Sequence, residues 1–196
     1  MKIFIKVLVC VTVISILLSS LSFESACRML EQDVLRLHIR ANSDIDADQK
    51  LKLSVRDAVI KELSPLYDDV KDKNQAKLIT QQNLEKAKIT AQDVISNHGY
   101  DYGVQVKLCS EFFDTRYYDN FTMPAGVYDS LVISIGEAKG KNWWCVMYPT
   151  LCVGASSKES MKNDLTQQEY DVVASDEYEF RFKIVEFFKK IYLYFR

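Results

Sequence analysis

Residues 34–41, Val-Leu-Arg-Leu-His-Ile-Arg-Ala, alternate apolar and polar. Leu35, Leu37 and Ile39 share one face, and Arg36, His38 and Arg40 share the other, as in a half-buried strand. Asn42-Ser43-Asp44 breaks the pattern. Asp46 with Gln49 resembles a capping box, and the helix it opens carries Leu51, Val55, Ala58, Val59 and Leu63 on one face. Pro65 sits just past its end. A second helix is predicted over Asn74 to Asn97, with an apolar stripe from Ala76 to Ile95, His98 in its last turn and Gly99 after the C-cap. From Tyr100 the period changes to two, and Tyr102, Val104, Val106 and Leu108 mark a strand that the aromatic segment Phe112 to Tyr118 extends.

Pro124-Ala125-Gly126 signals a turn before a strand over Val127 to Ile135. Gly136 to Asn142 then reads as the loop of a hairpin, and Trp143 to Tyr148 as its second strand. Neighbouring side chains of a strand point to opposite faces, so one of Trp143 and Trp144 is expected in the core and the other at a surface. The order of elements predicts an α+β domain: a mostly antiparallel sheet with two long helices packed on one face. Thr166-Gln-Gln-Glu169 is a capping box for a short helix. Beyond it, Ile184, Val185, Phe188, Ile191, Tyr192 and Phe195 fall at helical spacing among Lys183, Lys189, Lys190 and Arg196. Such an amphipathic tail either packs back on the domain or lies on a membrane surface.

The 196 residues carry a net charge of −2, which leaves no electrostatic footprint for nucleic acid. The N-terminus adds a different signal. Lys2 and Lys6 precede an apolar run from Val7 to Leu18, followed by Ser19, Ser20 and Ser22. This describes an export signal, and it is short for a spanning helix, which needs about 20 residues. Residues 1–22 are therefore a signal peptide, cleaved or retained as an anchor. Residues 30–153 form the α+β domain, 154–177 a linker with a short helix, and 178–196 the amphipathic tail. A lipid attachment at Cys27 is disfavoured by Glu24, where an aliphatic residue is expected. Outside the cytosol disulfides persist. Cys145 and Cys152 bracket a short loop containing Pro149, and a bridge there would contribute ~2.5 kcal/mol on chain-entropy grounds. Two buried free thiols are the alternative, and the four cysteines after Cys10 allow three pairings.

The search for chemistry is largely negative. His38 and His98 show no metal-type spacing. There is no nucleophile elbow and no Cys-x-x-Cys. Gly136-Glu-Ala-Lys-Gly-Lys-Asn fails as a phosphate loop, with three residues between its glycines and Asn after the lysine. Asp44, Asp46 and Asp48 lack the glycine and final Glu of a calcium loop. No catalytic residue, metal or cofactor is expected. Candidate recognition residues are Asn142, Trp143 and Trp144, because Trp is enriched at binding hot spots, and the polar strip Arg36, His38, Arg40.

Three motifs carry a resemblance. The first is Leu35-Arg-Leu-His-Ile-Arg-Ala-Asn-Ser-Asp44, continuing through Asp48-Gln49 and Leu51-Lys-Leu-Ser-Val-Arg-Asp57. The second is Pro124-Ala-Gly-Val-Tyr128. The third runs from Ile135-Gly-Glu137 through Gly140-Lys-Asn-Trp-Trp-Cys-Val146 to Pro149 and Leu151-Cys152. In these the chain resembles the stage II sporulation protein R family. It departs at Ala138, often Gly in that family, and at Thr150, often Pro. The resemblance implies an exported intercellular signal of sporulation. It would be made in the forespore, act in the septal intermembrane space, and activate a membrane-embedded aspartic protease of the opposing membrane, stage II sporulation protein GA, which processes pro-sigma-E. It implies no catalysis by the chain itself. The rival reading is an exported cell-wall hydrolase using Glu137 as acid, for which no second carboxylate stands out.

Overall fold

The alternation of the first strand is real, but both of its faces are covered. The computed structural model describes residues 2–118, 121–149, 165–174 and 178–195, without the side chains of 2, 9, 12–21, 179 and 180. Its strands are β1 (Leu35–Arg40), β2 (Val104–Phe113), β3 (Arg116–Tyr117), β4 (Thr122–Met123), β5 (Gly126–Ile135) and β6 (Asn142–Tyr148). The main sheet has the order β2-β5-β1-β6, and β3 and β4 form a separate ribbon. β2/β5 and β1/β6 are antiparallel, and β5/β1 is parallel. The sheet is thus mostly antiparallel, as expected.

The expected hairpin of residues 131–148 does not form. β1 is inserted between β5 and β6, with Leu37 opposite Leu131 on one side and Cys145 on the other. Crossing it requires a step of two strand spacings, about 9–10 Å, and residues 136–141 are long enough to make it. Insertion completes an apolar row of Leu35, Leu37 and Ile39 with Leu131, Ile133, Ile135, Cys145 and Met147, which a β5–β6 hairpin would leave interrupted.

Helices α2 (Asp46–Leu63), α3 (Lys73–Gln82) and α4 (Leu84–Asn97) cover that row, through Leu51, Val55, Val59, Ala76, Ala87, Ala91 and Ile95. The single helix expected over 74–97 breaks at Asn83. Its backbone N–H donates to both Ile79 and Thr80 carbonyls, and its side-chain amide to Ile79 again. Asn competes in this way with the regular ladder. Gly99 has the positive φ, +79°, expected of a residue just after a helix.

The other face is covered too, which the sequence reading did not anticipate. α1 (Lys2–Asp33), α5 (Gln167–Ala174) and α6 (Glu179–Tyr194) pack Phe23, Cys27, Leu30, Val172, Val173 and Phe182 around Phe113, Tyr128 and Val146. Among the described side chains of α1, Phe23 is buried, and Ile3, Phe4, Ile5, Val7, Leu8 and Val11 are exposed. Among the described residues no helix is long and apolar enough to cross a membrane. The capping box forms ahead of α5: the Glu169 carboxylate accepts from the Thr166 N–H at 2.9 Å and from its hydroxyl at 2.6 Å. The C-terminal segment is helical as predicted. Phe182 and Val185 pack inward, and Phe187, Phe188, Tyr192, Tyr194 and Phe195 stay exposed.

Candidate functional site

The loop that crosses β1 is built onto the end of that strand. The Gly140 N–H donates to the Ala41 carbonyl at 3.0 Å and the Lys139 N–H to the Asn42 carbonyl at 3.1 Å. Side chains add to this. The Asn42 Oδ1 accepts from the Glu137 N–H at 2.9 Å, and the Asp44 carboxylate accepts from the Lys141 N–H at 2.6 Å. From below, Lys52 donates to the Lys141 carbonyl at 3.0 Å and to Gln49 at 2.7 Å.

Asp48 anchors the strand side. Its carboxylate accepts from the Asn42 amide at 2.8 Å and the Ser43 hydroxyl at 2.5 Å. Burial alone would raise the Asp48 pKa, but hydrogen bonds from Ser43, Asn42 and Tyr102 outweigh it and hold the group below its ordinary range. Burial, and next Arg56 nearby, lowers that of Lys52. The capping box expected at Asp46 is absent: Ile45 is the N-cap, without a side-chain bond. Asp48, two residues further on, has taken the structural role.

Two glycines of the third motif are explained by this contact. A Cβ on Gly140 would collide with the backbone carbonyl of Ser43, and one on Gly136, where φ is +56°, would collide with the Asn42 side chain. Ala138 holds a left-handed φ of 54°, so glycine, common there in the resembled family, is the less strained residue.

β6 leaves the crossing with its tryptophans on opposite faces, as expected, but neither is free. The Arg56 guanidinium lies 4.3 Å from the centre of the Trp143 ring. Trp144 stacks on His38, with ring centres 5.4 Å apart and planes 22° apart, and carries Arg116 at 3.5 Å on its ring. Both rings are half-buried.

The expected polar strip is corrected by the second helical layer. Arg36 is fully buried and His38 nearly so, and only Arg40 reaches solvent. Arg36 donates to the Tyr118 hydroxyl at 2.7 Å and lies over the rings of Phe113 at 4.2 Å and Tyr128 at 5.1 Å. Tyr118 in turn donates to the Trp144 carbonyl at 3.1 Å. Glu111 joins the other two, with one oxygen 2.6 Å from His38 Nδ1 and the other accepting from Arg40 at 3.0 Å. Burial pushes the Glu111 pKa up, and the His38 hydrogen bond, its charge and Arg40 more than reverse this. The strip is thus the charged lining of a core. Glu111 and Tyr118 were missed because their polar character in an aromatic segment carries no sign of what they contact.

The other chemistry-bearing residues are scattered. Glu137 is exposed and pairs with Lys139 at 2.8 Å. His98 bonds its own helix at Val94. Among the described residues, no group of His, Cys, Asp and Glu could hold a metal ion. Cys10, Cys27 and Cys109 are free, and burial pushes the Cys27 thiol up to about 12. Cys145 is buried and is not one of the free thiols. Cys152 lies outside the described residues, as does most of the linker over 154–177.

The chain is therefore an α+β protein whose mixed sheet is closed at one end by a braced crossing that presents a clamped tryptophan pair. Residues 31–159 match the family model described as stage II sporulation protein R. The chain is 32% identical to the stage II sporulation protein R of Bacillus subtilis over 153 residues, covering 76% of this chain and 68% of that protein. No solved structure matches. The chain belongs to the stage II sporulation protein R family, and it is a sporulation protein by that kinship.

Proposed function

We propose that this protein is an exported signal of sporulation that binds and activates a membrane-embedded aspartic protease, stage II sporulation protein GA, in the opposing septal membrane, and so triggers processing of pro-sigma-E. The observation that carries this reading is convergence. The first and third family motifs, about a hundred residues apart, meet at one rigid junction, Asn42–Asp48 against Gly136–Trp144. A ligand activates a protease only by binding its active state better than its inactive one. A crossing loop already fixed by five backbone N–H and carbonyl contacts to residues 41–52 loses little entropy on binding. A Cys145–Cys152 bridge belongs to the same proposal, supported by Cys145 not being a free thiol, and it would stiffen β6 just beyond the tryptophans.

Export is supported by the composition of residues 1–22, where two lysines, an apolar run and small residues follow one another as in an export signal. A non-catalytic role is supported by the placement of the candidate acid. Glu137 is exposed on the crossing loop and paired with Lys139, not desolvated as a raised-pKa general acid would be. Contact of α6 with the membrane surface is supported by its exposed aromatic residues but not by its charges, since Lys189 bonds Glu31 and Lys190 bonds Asp114 and Glu186.

The test is co-expression of protease and pro-sigma-E with and without this chain, scored for substrate cleavage. Cleavage should depend on the chain and fall with Trp143→Ala in a variant whose fold and export are verified. Unchanged cleavage without the chain overturns the reading. Turnover of peptidoglycan by the purified protein, lost in Glu137→Gln, would establish the hydrolase instead.

A further inference from the structure

We propose that the outer edge of β2 pairs with β2 of a second copy of this chain, antiparallel about a two-fold axis at Cys109. β2 is ten residues long and terminates the sheet. In an antiparallel ladder the residues that exchange hydrogen bonds alternate. The bond from the Gly136 N–H to the Gly103 carbonyl sets the phase, so the odd-numbered residues bond β5. Val104, Val106, Leu108, Ser110 and Phe112 then turn their N–H and C=O outward. Among the described residues nothing bonds them, whereas at the opposite edge the Trp144 carbonyl of β6 accepts from Tyr118. β2 carries no proline and a single lysine, so the usual guards of a free edge are nearly absent.

The side chains choose the partner and the register. An axis at Cys109 sets Lys107 opposite Glu111 and Val106 opposite Phe112, each pair occurring twice. An axis at Lys107 or Glu111 sets like charges face to face, and one at Leu108 or Ser110 leaves Lys107 without an acid opposite. The strand is thus complementary to itself in one register, which a second copy satisfies. Odd residues form the close, non-hydrogen-bonded pairs of the new ladder, with Cα atoms about 4.5 Å apart, within the span a disulfide accepts. Cys109 is a free, half-buried thiol. The pairing joins two four-stranded sheets into one.

The test uses the full chain with Cys10→Ser, in a non-ionic detergent that occupies the exposed apolar residues of α1. Sedimentation should show a monomer–dimer equilibrium. Glutathione disulfide should convert the dimer to a cross-linked form: two Cys109 thiols give up two protons and two electrons, one S–S bond forms, and two glutathione thiols are released. Cys109→Ser should abolish the cross-link and leave the non-covalent dimer. Lys107→Glu, which turns two unlike pairs into like ones, should weaken association roughly tenfold. Leu108→Pro, which removes an outward N–H, should weaken it as well, with the far-UV spectrum retained. A monomer at all concentrations with no Cys109 cross-link overturns the proposal, and so does a dimer indifferent to Lys107→Glu.

Discussion

Gly140→Ala tests whether the crossing loop is held as closely as described. The added methyl would meet the O, C and Cα atoms of Ser43, all of them backbone. Backbone cannot turn aside as a flexible side chain can. Either the contact is compressed, at a cost of about 1–3 kcal/mol, or the loop lifts. Lifting loses the Gly140–Ala41 and Lys139–Asn42 hydrogen bonds, each contributing about 1 kcal/mol. A destabilisation of about 2–3 kcal/mol follows on either route. With a urea slope of about 2 kcal/mol/M, the midpoint should fall by about 1–1.5 M. Two control sites separate this contact from the generic effect of losing glycine. Gly103 has open space and no positive φ, so Gly103→Ala should gain about 0.4–1 kcal/mol from a less flexible unfolded chain. Gly99 has open space but φ +79°, and Gly99→Ala should lose about 1 kcal/mol to left-handed strain alone. Equal losses at Gly140 and Gly103, or a Gly140→Ala midpoint matching the parent, would refute the close approach.

Four further outcomes are expected. Ala138→Gly should stabilise by about 1 kcal/mol, read as a higher urea midpoint, because it relieves a left-handed alanine. Burial raises the pKa of Asp129, but hydrogen bonds from Lys77, Ser110 and Lys73 bring it from 3.8 to about 2. Its folded pKa is therefore depressed, so its contribution is complete above pH 3.8 and is lost as pH falls through about 2. Asp129→Asn should flatten that part of the acid-unfolding curve. Tyr118→Phe leaves the buried Arg36 without its hydroxyl acceptor and should cost about 2–3 kcal/mol by urea titration. Thr166→Ala removes the cap of α5 and should lose about 1 kcal/mol in the same assay.

The α+β class, the strands and the helical face of the chain were legible because each rests on local periodicity. Leu35, Leu37 and Ile39 reveal one buried face, and the stripe of α2 reveals what covers it. The covering of the opposite face was not legible. Phe23, Cys27 and Leu30 lie between the segment that reads as targeting and the first predicted strand, where no periodicity marks a helix, and Phe182 lies in a segment that reads as a tail. Arg36 and His38 therefore looked solvated, since charge at alternate positions is the ordinary mark of an exposed face. The broken helix at Asn83 turned on a side-chain amide competing with the backbone, a choice between near-equal hydrogen bonds. The tryptophans were correctly assigned to opposite faces by strand geometry. Their arginine clamps, Arg56 from α2 and Arg116 from β3, depend on tertiary placement that spacing along the chain does not encode.

The position of β1 between β5 and β6 dictates the order in which the molecule can assemble. Its hydrogen-bonding neighbours, residues 126–135 and 142–148, lie roughly ninety to a hundred and ten residues downstream. Until they exist, the central strand of the sheet has no one to pair with, and Arg36 and His38 remain in water. Assembly cannot proceed sequentially from the N-terminus, and the gap between β5 and β6 must be filled by a strand made long before either. Such non-local closure is slower to form than the local contacts of a helix, because the loop must close before the pairing rewards it. The helices α2, α3 and α4, made of local contacts, can be in place first, waiting as a half-built floor on which the late strands close.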